Sequence, residues 1–130
     1  MSNRDEPLDE AAETLCRKLG YAFADTGLLF DALTHTSFRN ERPDVAAADN
    51  ERLEFLGDAV VGLVVASLVY VRFPDSDEGE LTRRRADLVS ERGLAECAEA
   101  IGMGEALRLG KGEEKSGGRQ KPRLLSSALE

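Results

Sequence analysis

The 130-residue chain contains no tryptophan, one histidine and only two cysteines. His35 has no serine and acid grouped with it in a catalytic pattern, and we interpret it as a structural hydrogen-bonding residue. Cys16 and Cys97 belong to no Cys-x-x-Cys or Cys/His cluster, which argues against a zinc site. Each cysteine has apolar neighbours in a helical pattern, so both are predicted to be buried, reduced thiols.

Alternating apolar and polar residues, the signal of a half-buried strand, occur nowhere in the chain, so the fold is predicted to be all-α. The composition, with 42% apolar and 32% charged residues, is that of a soluble globular protein. A chain of this length supports one hydrophobic core. We therefore expect a single domain over residues 1–130.

Two further features are scarce: long hydrophobic runs and positive charge. The longest uncharged apolar run, residues 59–71, is shorter than the roughly 20 residues that span a bilayer. Residues 1–9 are polar and acidic, without a secretory apolar core, and we predict a cytoplasmic protein without membrane contact. The net charge of −8 disfavours RNA binding through phosphate neutralisation alone. In the one dense basic run, Arg83 to Arg85, one or two side chains could contact phosphate and the others are solvated.

The stretch from Asn50 to Val71 is predicted to be the central helix. At 100° per residue its three acids, Glu51, Glu54 and Asp58, fall within a sector of about 60°. The opposite face is apolar, and beyond Asp58 the acidic face becomes apolar too, which predicts a core helix that enters the interior. The residues of the opposite face are Leu53, Leu56, Val60, Leu63 and Val64. Carboxylates at the mouth of a core repel one another unless they are protonated or bridged by a cation, and oxygen ligands suit Mg²⁺.

A simpler explanation of the acids also exists. Asp and Glu in a first turn complement the helix dipole, and Asp49 or Asn50 would serve as the N-cap. This accounts for Glu51 and in part for Glu54. It accounts poorly for Asp58, which lies two turns into the helix among apolar neighbours. Spacing alone leaves the metal site and the solvated acidic face as alternatives.

The string NERLEFLGDAVVGLVVASLVY resembles the signature helix of the ribonuclease III endonuclease domain. Residues 32–38, ALTHTSF, are similar to the family's segment upstream of that helix. Residues 72–82 resemble the loop and the helix start that follow it, and residues 109–118 resemble the glycine-rich connection to the family's last acidic motif. The similarities run in order from about Tyr21 onward, and the chain is identified as a member of this family.

The resemblance implies an all-α endonuclease domain that forms a two-fold homodimer and hydrolyses double-stranded RNA during RNA processing. It implies that Glu54, Asp58 and Glu130 are catalytic and hold Mg²⁺, for which Mn²⁺ can substitute. An activated water would attack the phosphodiester in line and leave staggered ends with 5′-phosphate and 3′-hydroxyl groups.

The resemblance also gives roles to Glu51, Glu78 and Phe55. The two acids would support the RNA-binding valley, Glu78 that of the partner subunit, and Phe55 would dock into the partner. From their pattern alone, Glu78 could merely compensate the helix dipole and Phe55 could be an ordinary core residue.

The last acidic motif departs from the family. Ser127 stands where the family has an Asp ligand, and Glu130 stands at the Glu position. A neutral hydroxyl lowers the charge of the ligand set and is expected to weaken metal binding. The family's helix continues past this motif with apolar residues, often toward a double-stranded-RNA-binding domain that these 130 residues do not contain. We therefore expect the native protein to extend beyond Glu130.

The other helices are predicted from caps and apolar stripes. Pro7 and Asp9 start a first helix that Gly20 ends, and Asp25 or Thr26 caps a second. Helical periodicity over residues 81–101 is interrupted near Ser90, and Pro122 starts the last helix. Residues predicted to be buried are Leu28, Leu29, Ala32 and Leu33 in the second helix, and Leu88, Val89, Leu94, Ala95, Cys97, Ala98 and Ile101 in the 81–101 region.

Glycines lead to two further predictions, one for residues 110–118 and one for Gly57. Residues 110–118 lack the glycine spacing and the preceding strand of a phosphate-binding P-loop, and we interpret them as a flexible connector. Gly57 lies toward the packed side of the central helix, where it would permit a close helix crossing. Gly57→Val is therefore expected to cost more stability than Gly62→Val.

Two alternatives to the nuclease remain open from the sequence. The first is a catalytically impaired member or fragment that binds double-stranded RNA or protein without cutting, a hypothesis based on Ser127 and on the position of Glu130. The second is a helical dimerisation module whose acidic face is only solvated surface. Mg²⁺ would leave the melting temperature of that module unchanged, whereas a metal site predicts stabilisation.

Overall fold

The computed structural model describes residues 7–130, and within that range the chain forms nine α-helices, one 3₁₀ helix and no β-strand. The all-α prediction is confirmed. The acidic segment expected at residues 1–9 lies mostly outside the described residues. The helices are α1 (Glu10–Leu19), α2 (Thr26–Leu33), α3 (Thr36–Glu41), α4 (Glu51–Arg72), α5 (Glu78–Leu88), α6 (Glu91–Ala100), α7 (Met103–Ala106), α8 (Lys111–Lys115) and α9 (Pro122–Leu129), with the 3₁₀ helix at Gly118–Gln120.

Local sequence signals set most of the helix ends. The Asp9 carboxylate accepts a hydrogen bond from the Ala12 N–H at 2.8 Å and begins α1, which ends at Gly20 in the left-handed conformation with φ 64°. Ser90 caps α6 by accepting from the Gly93 N–H at 3.1 Å, so the predicted interruption of the 81–101 region is confirmed. Pro122 occupies the first turn of α9, as predicted.

The hydrophobic core lies where α1, α2, α6, α7 and α9 meet. Leu15, Leu33 and Leu125 are among its largest fully buried side chains, and Ala98 allows α6 to approach α9 closely because it has only a methyl group. This core holds α9, and with it Ser127 and Glu130, in a fixed place.

The prediction that α4 is a core helix is wrong. Within α4 only Gly57 and Val69 are buried, whereas the face predicted to enter the interior is exposed. Fractional exposures on that face are 61% for Leu56, 53% for Val60, 70% for Leu63 and 50% for Val64, and Leu53 is half-buried. The reason is that α4 packs chiefly against α5, with α2 and α9 touching its N-terminal half, so no helix of the described chain covers this face.

Other burial predictions fail or are met only in part: Ala32, Val89 and Ile101 are half-buried. Leu28 and Leu88 are about half exposed, Cys97 is exposed and Cys16 is half-buried. Leu28 lies on α2, which packs on α4 and α9, and Leu88 lies on α5, which packs on α4 and α6. An apolar residue away from the packed side of such a helix meets solvent. The helical period identified the apolar positions but not which of them would find a neighbour.

Residues 110–118 were predicted to be a flexible connector, but they contain the short helix α8 and are tied to α3. The Gly110 N–H donates to Ser37 Oγ at 2.9 Å, and the Lys111 N–H donates to Glu41 Oε2 at 3.0 Å. A Cβ at Gly110 would lie 2.8 Å from the Ser37 carbonyl oxygen, so glycine permits this close approach. The glycines therefore serve packing as well as chain reversal.

Among the described residues, α4 is the one helix long and apolar enough to cross a membrane by length and composition, with 22 residues and a mean hydropathy of 1.8 over its most apolar window. The uncharged run of residues 59–71 is too short to span a bilayer, but the charged first turns of α4 bring the whole helix to spanning length. Such a helix is weak evidence for a membrane, because helices that pack on protein pass the same criterion.

Candidate active site

The acidic end of α4 is anchored by the residues just before it. Asn50 occupies the N-cap position, but its side chain does not cap the helix; the Asp49 carboxylate accepts from the Glu51 N–H at 3.2 Å instead. The Asn50 N–H donates to the Thr34 carbonyl oxygen at 2.9 Å. Of the two candidate caps, Asp49 therefore caps α4 with its side chain, and Asn50 occupies the N-cap position and binds the Thr34 carbonyl oxygen. The first turn of α4 is held against the junction between α2 and α3.

Glu54 and Asp58, four residues apart on α4, project from the same side of the helix. Glu54 is half-buried and Asp58 is exposed. Glu130, at the end of α9, lies beside them. Burial raises the pKa of the Glu130 carboxyl, and the charges of Glu54 and Asp58 and a hydrogen bond with Asp58 raise it further. The structure therefore brings Glu130 next to Glu54 and Asp58, although 72 residues separate Asp58 from Glu130 in the sequence.

Gly57 makes this meeting of α4 and α9 sterically feasible. A Cβ built on Gly57 would lie only 1.5 Å from the Glu130 carbonyl oxygen and 2.2 Å from its carbonyl carbon. No side chain fits into that space. At Gly62 a Cβ would meet nothing within 4 Å. The predicted close helix crossing at Gly57 is confirmed, and the partner helix is α9.

Ser127 faces the same region. It lines a cleft of about 390 Å³ together with Glu54, Gly57 and Glu130, with Leu53 and Leu56 among the apolar walls. A hydroxyl thus replaces a fourth carboxylate at this place. Its chemistry provides a neutral oxygen that could contact a cation directly or through water.

The donor set fits a hard divalent cation in chemistry, because it consists of carboxylate oxygens and one hydroxyl. Burial is the main cause of the raised pKa of Glu130, and the charges of Glu54 and Asp58 add to it; a bound cation would relieve that repulsion. Within residues 7–130, however, no three His, Cys, Asp or Glu side chains form a group ready to hold a metal ion. The acids adjoin one another without being arranged as a closed coordination sphere.

The remaining predicted site residues are distributed along α4 and α5. Glu51 is exposed and accepts from the Thr36 hydroxyl at 3.3 Å. Glu78 begins α5, after the loop that follows Arg72, and Arg72 lies roughly 27 Å along the axis of α4 from Glu54 at 1.5 Å per residue. Glu78 accepts from the Thr82 hydroxyl at 3.1 Å. Glu78 is therefore not part of the acidic group of its own chain.

Phe55 and His35 resolve two of the alternatives. Phe55 is 83% exposed, so it is not an ordinary core residue. His35 caps α3: its Nδ1 accepts from the Ser37 N–H at 3.2 Å and lies 2.7 Å from Ser37 Oγ. The structural interpretation of His35 is confirmed.

Sequence reasoning missed the ion pair between the partly exposed Arg39 and the buried Asp49, at the acidic end of α4. Arg39 Nη1 lies 2.9 Å from Asp49 Oδ2, and the Asp49 side chain is only 5% exposed. The signal was weak, because an arginine and an aspartate ten residues apart in a polar connection usually indicate solvated surface.

Comparison with known proteins gives the class of this fold and site. A family model described as ribonuclease-III-like matches residues 25–130. The chain is 52% identical over 121 residues to Ribonuclease 3 of Syntrophotalea carbinolica, covering 93% of this chain and 52% of that protein. The chain thus spans about half the length of the curated relatives it matches.

Two solved structures are similar over nearly the whole chain. A crystal structure of the nuclease domain of ribonuclease III from Campylobacter jejuni has a TM-score of 0.82 and 41% identity, covering 93% of this chain and 78% of that one. A second structure of that nuclease domain, reported for structural flexibility in a region involved in dimer formation, has a TM-score of 0.80 and 43% identity. The match covers 90% of this chain and 78% of that one. The chain belongs to the ribonuclease-III-like family.

Proposed function

We propose that this chain is the endonuclease domain of a ribonuclease III-type enzyme that cleaves double-stranded RNA. One observation carries the proposal: Glu130 on α9 meets Glu54 and Asp58 on α4, where Gly57 lets the two helices touch. These are the positions at which the family resemblance expects catalytic carboxylates. Family membership and the nuclease-domain neighbours support the same reaction class.

Glu54, Asp58 and Glu130, with Ser127 as a neutral ligand, would hold Mg²⁺ or Mn²⁺. When bound, the ion would lower the pKa of a water so that, after losing a proton, it can attack phosphorus as hydroxide, and would supply positive charge for the leaving oxygen. The P–O3′ bond would break, leaving 5′-phosphate and 3′-hydroxyl ends. The carboxylates orient the attacking group, and the low charge of the Ser127 position makes weak metal binding the expected departure from the family.

A second copy of the chain would complete the enzyme. Phe55, about 100° around α4 from Leu56, exposes an aromatic ring. The exposed apolar face of α4 is a surface of the kind that monomers rarely leave in water. We propose that a two-fold partner covers it, that Phe55 docks into that partner, and that Glu51 and Glu78 support the RNA-binding valley, Glu78 from across the interface. Contact with protein, rather than with lipid, would then account for the hydropathy of α4. We further propose that the enzyme is cytoplasmic and that residues 1–130 belong to a single domain.

The test is cleavage of a labelled, perfectly paired RNA duplex with and without Mg²⁺. We expect short, staggered products that disappear with chelator and with Asp58→Asn, whereas Glu99→Gln, which alters an exposed acid on α6, leaves cleavage intact. Equal loss in both variants would show that the acids on α4 have no special role.

Ser127→Asp separates the nuclease from the impaired member of the family. If the native site is weakened by its missing charge, restoring the acid should raise both Mg²⁺ affinity and the cleavage rate. A chain that binds duplex RNA without cutting it, in either form, would favour the binding-module alternative. Failure of Mg²⁺ to raise the melting temperature of either form would favour the plain dimerisation module.

A further inference from the structure

Four buried polar or charged residues occur in the described chain, and three of them meet where α4 begins. Thr34 is 1% exposed, Asn50 6% and Asp49 8%. Buried polar groups destabilise a fold unless they are hydrogen-bonded, so such a group is retained where it fixes a geometry. Each of these three residues makes hydrogen bonds within the chain.

Asn50 connects α4 to the end of α2. Its Nδ2 donates to the Ala32 carbonyl oxygen at 3.2 Å, and its N–H donates to the Thr34 carbonyl oxygen at 2.9 Å. Its own carbonyl oxygen accepts from the Glu54 N–H at 2.8 Å. One residue therefore joins the α2–α3 junction to the backbone of a predicted metal ligand.

Asp49 fixes the same turn from a second direction. Oδ1 accepts from the Glu51 N–H, while Oδ2 accepts from the Thr36 hydroxyl at 3.0 Å and pairs with Arg39 at 2.9 Å. The Thr36 hydroxyl also lies 3.3 Å from Glu51 Oε1, so its proton is shared between two carboxylates. Rotation of α4 about its axis would break several of these bonds at once.

The α2–α3 junction is also bound to the chain segment that leads to α9. The Arg108 N–H donates to the Leu33 carbonyl oxygen at 2.9 Å, and the His35 N–H donates to the Arg108 carbonyl oxygen at 3.1 Å. The guanidinium of Arg119, a residue shortly before α9, donates to the Leu107 carbonyl oxygen at 2.7 Å. Hydrogen bonds thus join the first turn of α4 to the α2–α3 junction, that junction to residues 107–108, and Leu107 to Arg119, which precedes α9.

We propose that Asn50, Asp49 and Thr36 are positioning residues: they set the rotation of α4 so that Glu54 and Asp58 face Glu130. This inference rests on the proposed function. None of the three would touch the scissile phosphate. They act by holding the carboxylates in the alignment that a metal ion needs, and ligand alignment is sensitive to fractions of an ångström.

The experiment measures the apparent Kd for Mg²⁺, from the rise of the melting temperature with Mg²⁺ concentration, alongside kcat and KM on duplex RNA. Asn50→Ala and the nearly isosteric Thr36→Val are expected to raise the Kd about 10-fold and to lower kcat with little change in KM. Thr36→Ser, which keeps the hydroxyl, should restore both values. Leu94→Ala, a buried substitution on α6, should lower the melting temperature without altering the Kd.

Hydrogen exchange gives a readout that does not depend on activity. Thr36→Val should speed exchange of the Glu54 amide relative to amides of α6. Wild-type Kd and kcat in Thr36→Val, or an equal rise of the Kd in Leu94→Ala, would overturn the positioning role. If the wild-type chain neither binds Mg²⁺ nor cleaves, the comparison is decided in the Ser127→Asp background; absence of binding there would overturn the proposed function and this inference together, while unchanged exchange would overturn the inference alone.

Discussion

The apolar residues of α9 and those of α4 follow the same helical periodicity and have opposite surroundings. Leu125 on α9 is 1% exposed, whereas Leu63 on α4 is 70% exposed. α9 is enclosed by α6, α4, α7 and α2, whereas α4 packs on α5 and meets α2 and α9 only through its N-terminal half, so no described helix covers Leu63. Periodicity therefore identifies the apolar face of a helix, and the arrangement of the other helices decides whether that face is buried within the chain.

The largest expected contrast comes from truncating one leucine in each region. Leu125→Ala should lower the free energy of unfolding by about 2–5 kcal/mol, because it removes buried contacts and leaves a cavity. Leu63→Ala in dilute, monomeric protein should cost less than about 0.5 kcal/mol. Chemical denaturation of both variants measures the difference. A cost for Leu63→Ala that grows with protein concentration would show that a second copy covers α4, and a large cost at every concentration would contradict the exposed placement of this face.

Much of this contrast was beyond the sequence. Caps at Asp9 and Ser90, the stop at Gly20 and the acids of α4 were predictable because their signals are local. The exposure of Leu63 and the ordered turn at Gly110 were not, because each depends on which segment arrives from elsewhere in the chain. The meeting of Asp58 with Glu130 followed from family resemblance, since spacing along the chain gave no reason to pair them.

Gly57 and Gly62 provide the next contrast, at the place where the two regions touch. Gly57→Ala should destabilise the protein by about 1–3 kcal/mol, because its Cβ would overlap the Glu130 carbonyl and displace α9. Gly62→Ala should stabilise it by up to about 1 kcal/mol through helix propensity. The corresponding valine pair should keep the same order. Equal melting shifts for the two positions would show that the close crossing does not form.

Phe55 tests whether the uncovered region is an interface. We expect Phe55→Ala to weaken homodimerisation by roughly 10- to 100-fold, as removal of an aromatic anchor commonly does. The melting temperature of the monomer should stay unchanged, because the ring is 83% exposed. Sedimentation equilibrium measures the first quantity and calorimetry on dilute protein the second. Tyr21→Ala, which truncates an aromatic ring that is 60% exposed and follows α1, is the matched control and should leave dimerisation intact.

The smallest effect concerns charge where the two regions meet. The pKa of Glu130 is raised in the folded protein, by burial first and then by Glu54 and Asp58, so the folded state holds this proton more tightly than the unfolded chain. Stability linked to Glu130 is therefore present at low pH and lost as the pH rises through the raised pKa. Without divalent metal, Glu130→Gln should be slightly more stable than wild type at pH 7, within about 0.5 kcal/mol, and equal to it at pH values below the ordinary range of glutamate.

Glu113 supplies a control of opposite sign for that measurement. Its hydrogen bond from Lys121 lowers the pKa of the Glu113 carboxyl, so Glu113→Gln should be less stable than wild type at pH 7, and the difference should fade as the pH falls through the lowered pKa. Adding Mg²⁺ should reverse the order only at Glu130, because wild type then gains stability by binding the ion and Glu130→Gln does not. If Mg²⁺ stabilises both variants equally, Glu130 is not a ligand, and the approach of α9 to α4 serves packing alone.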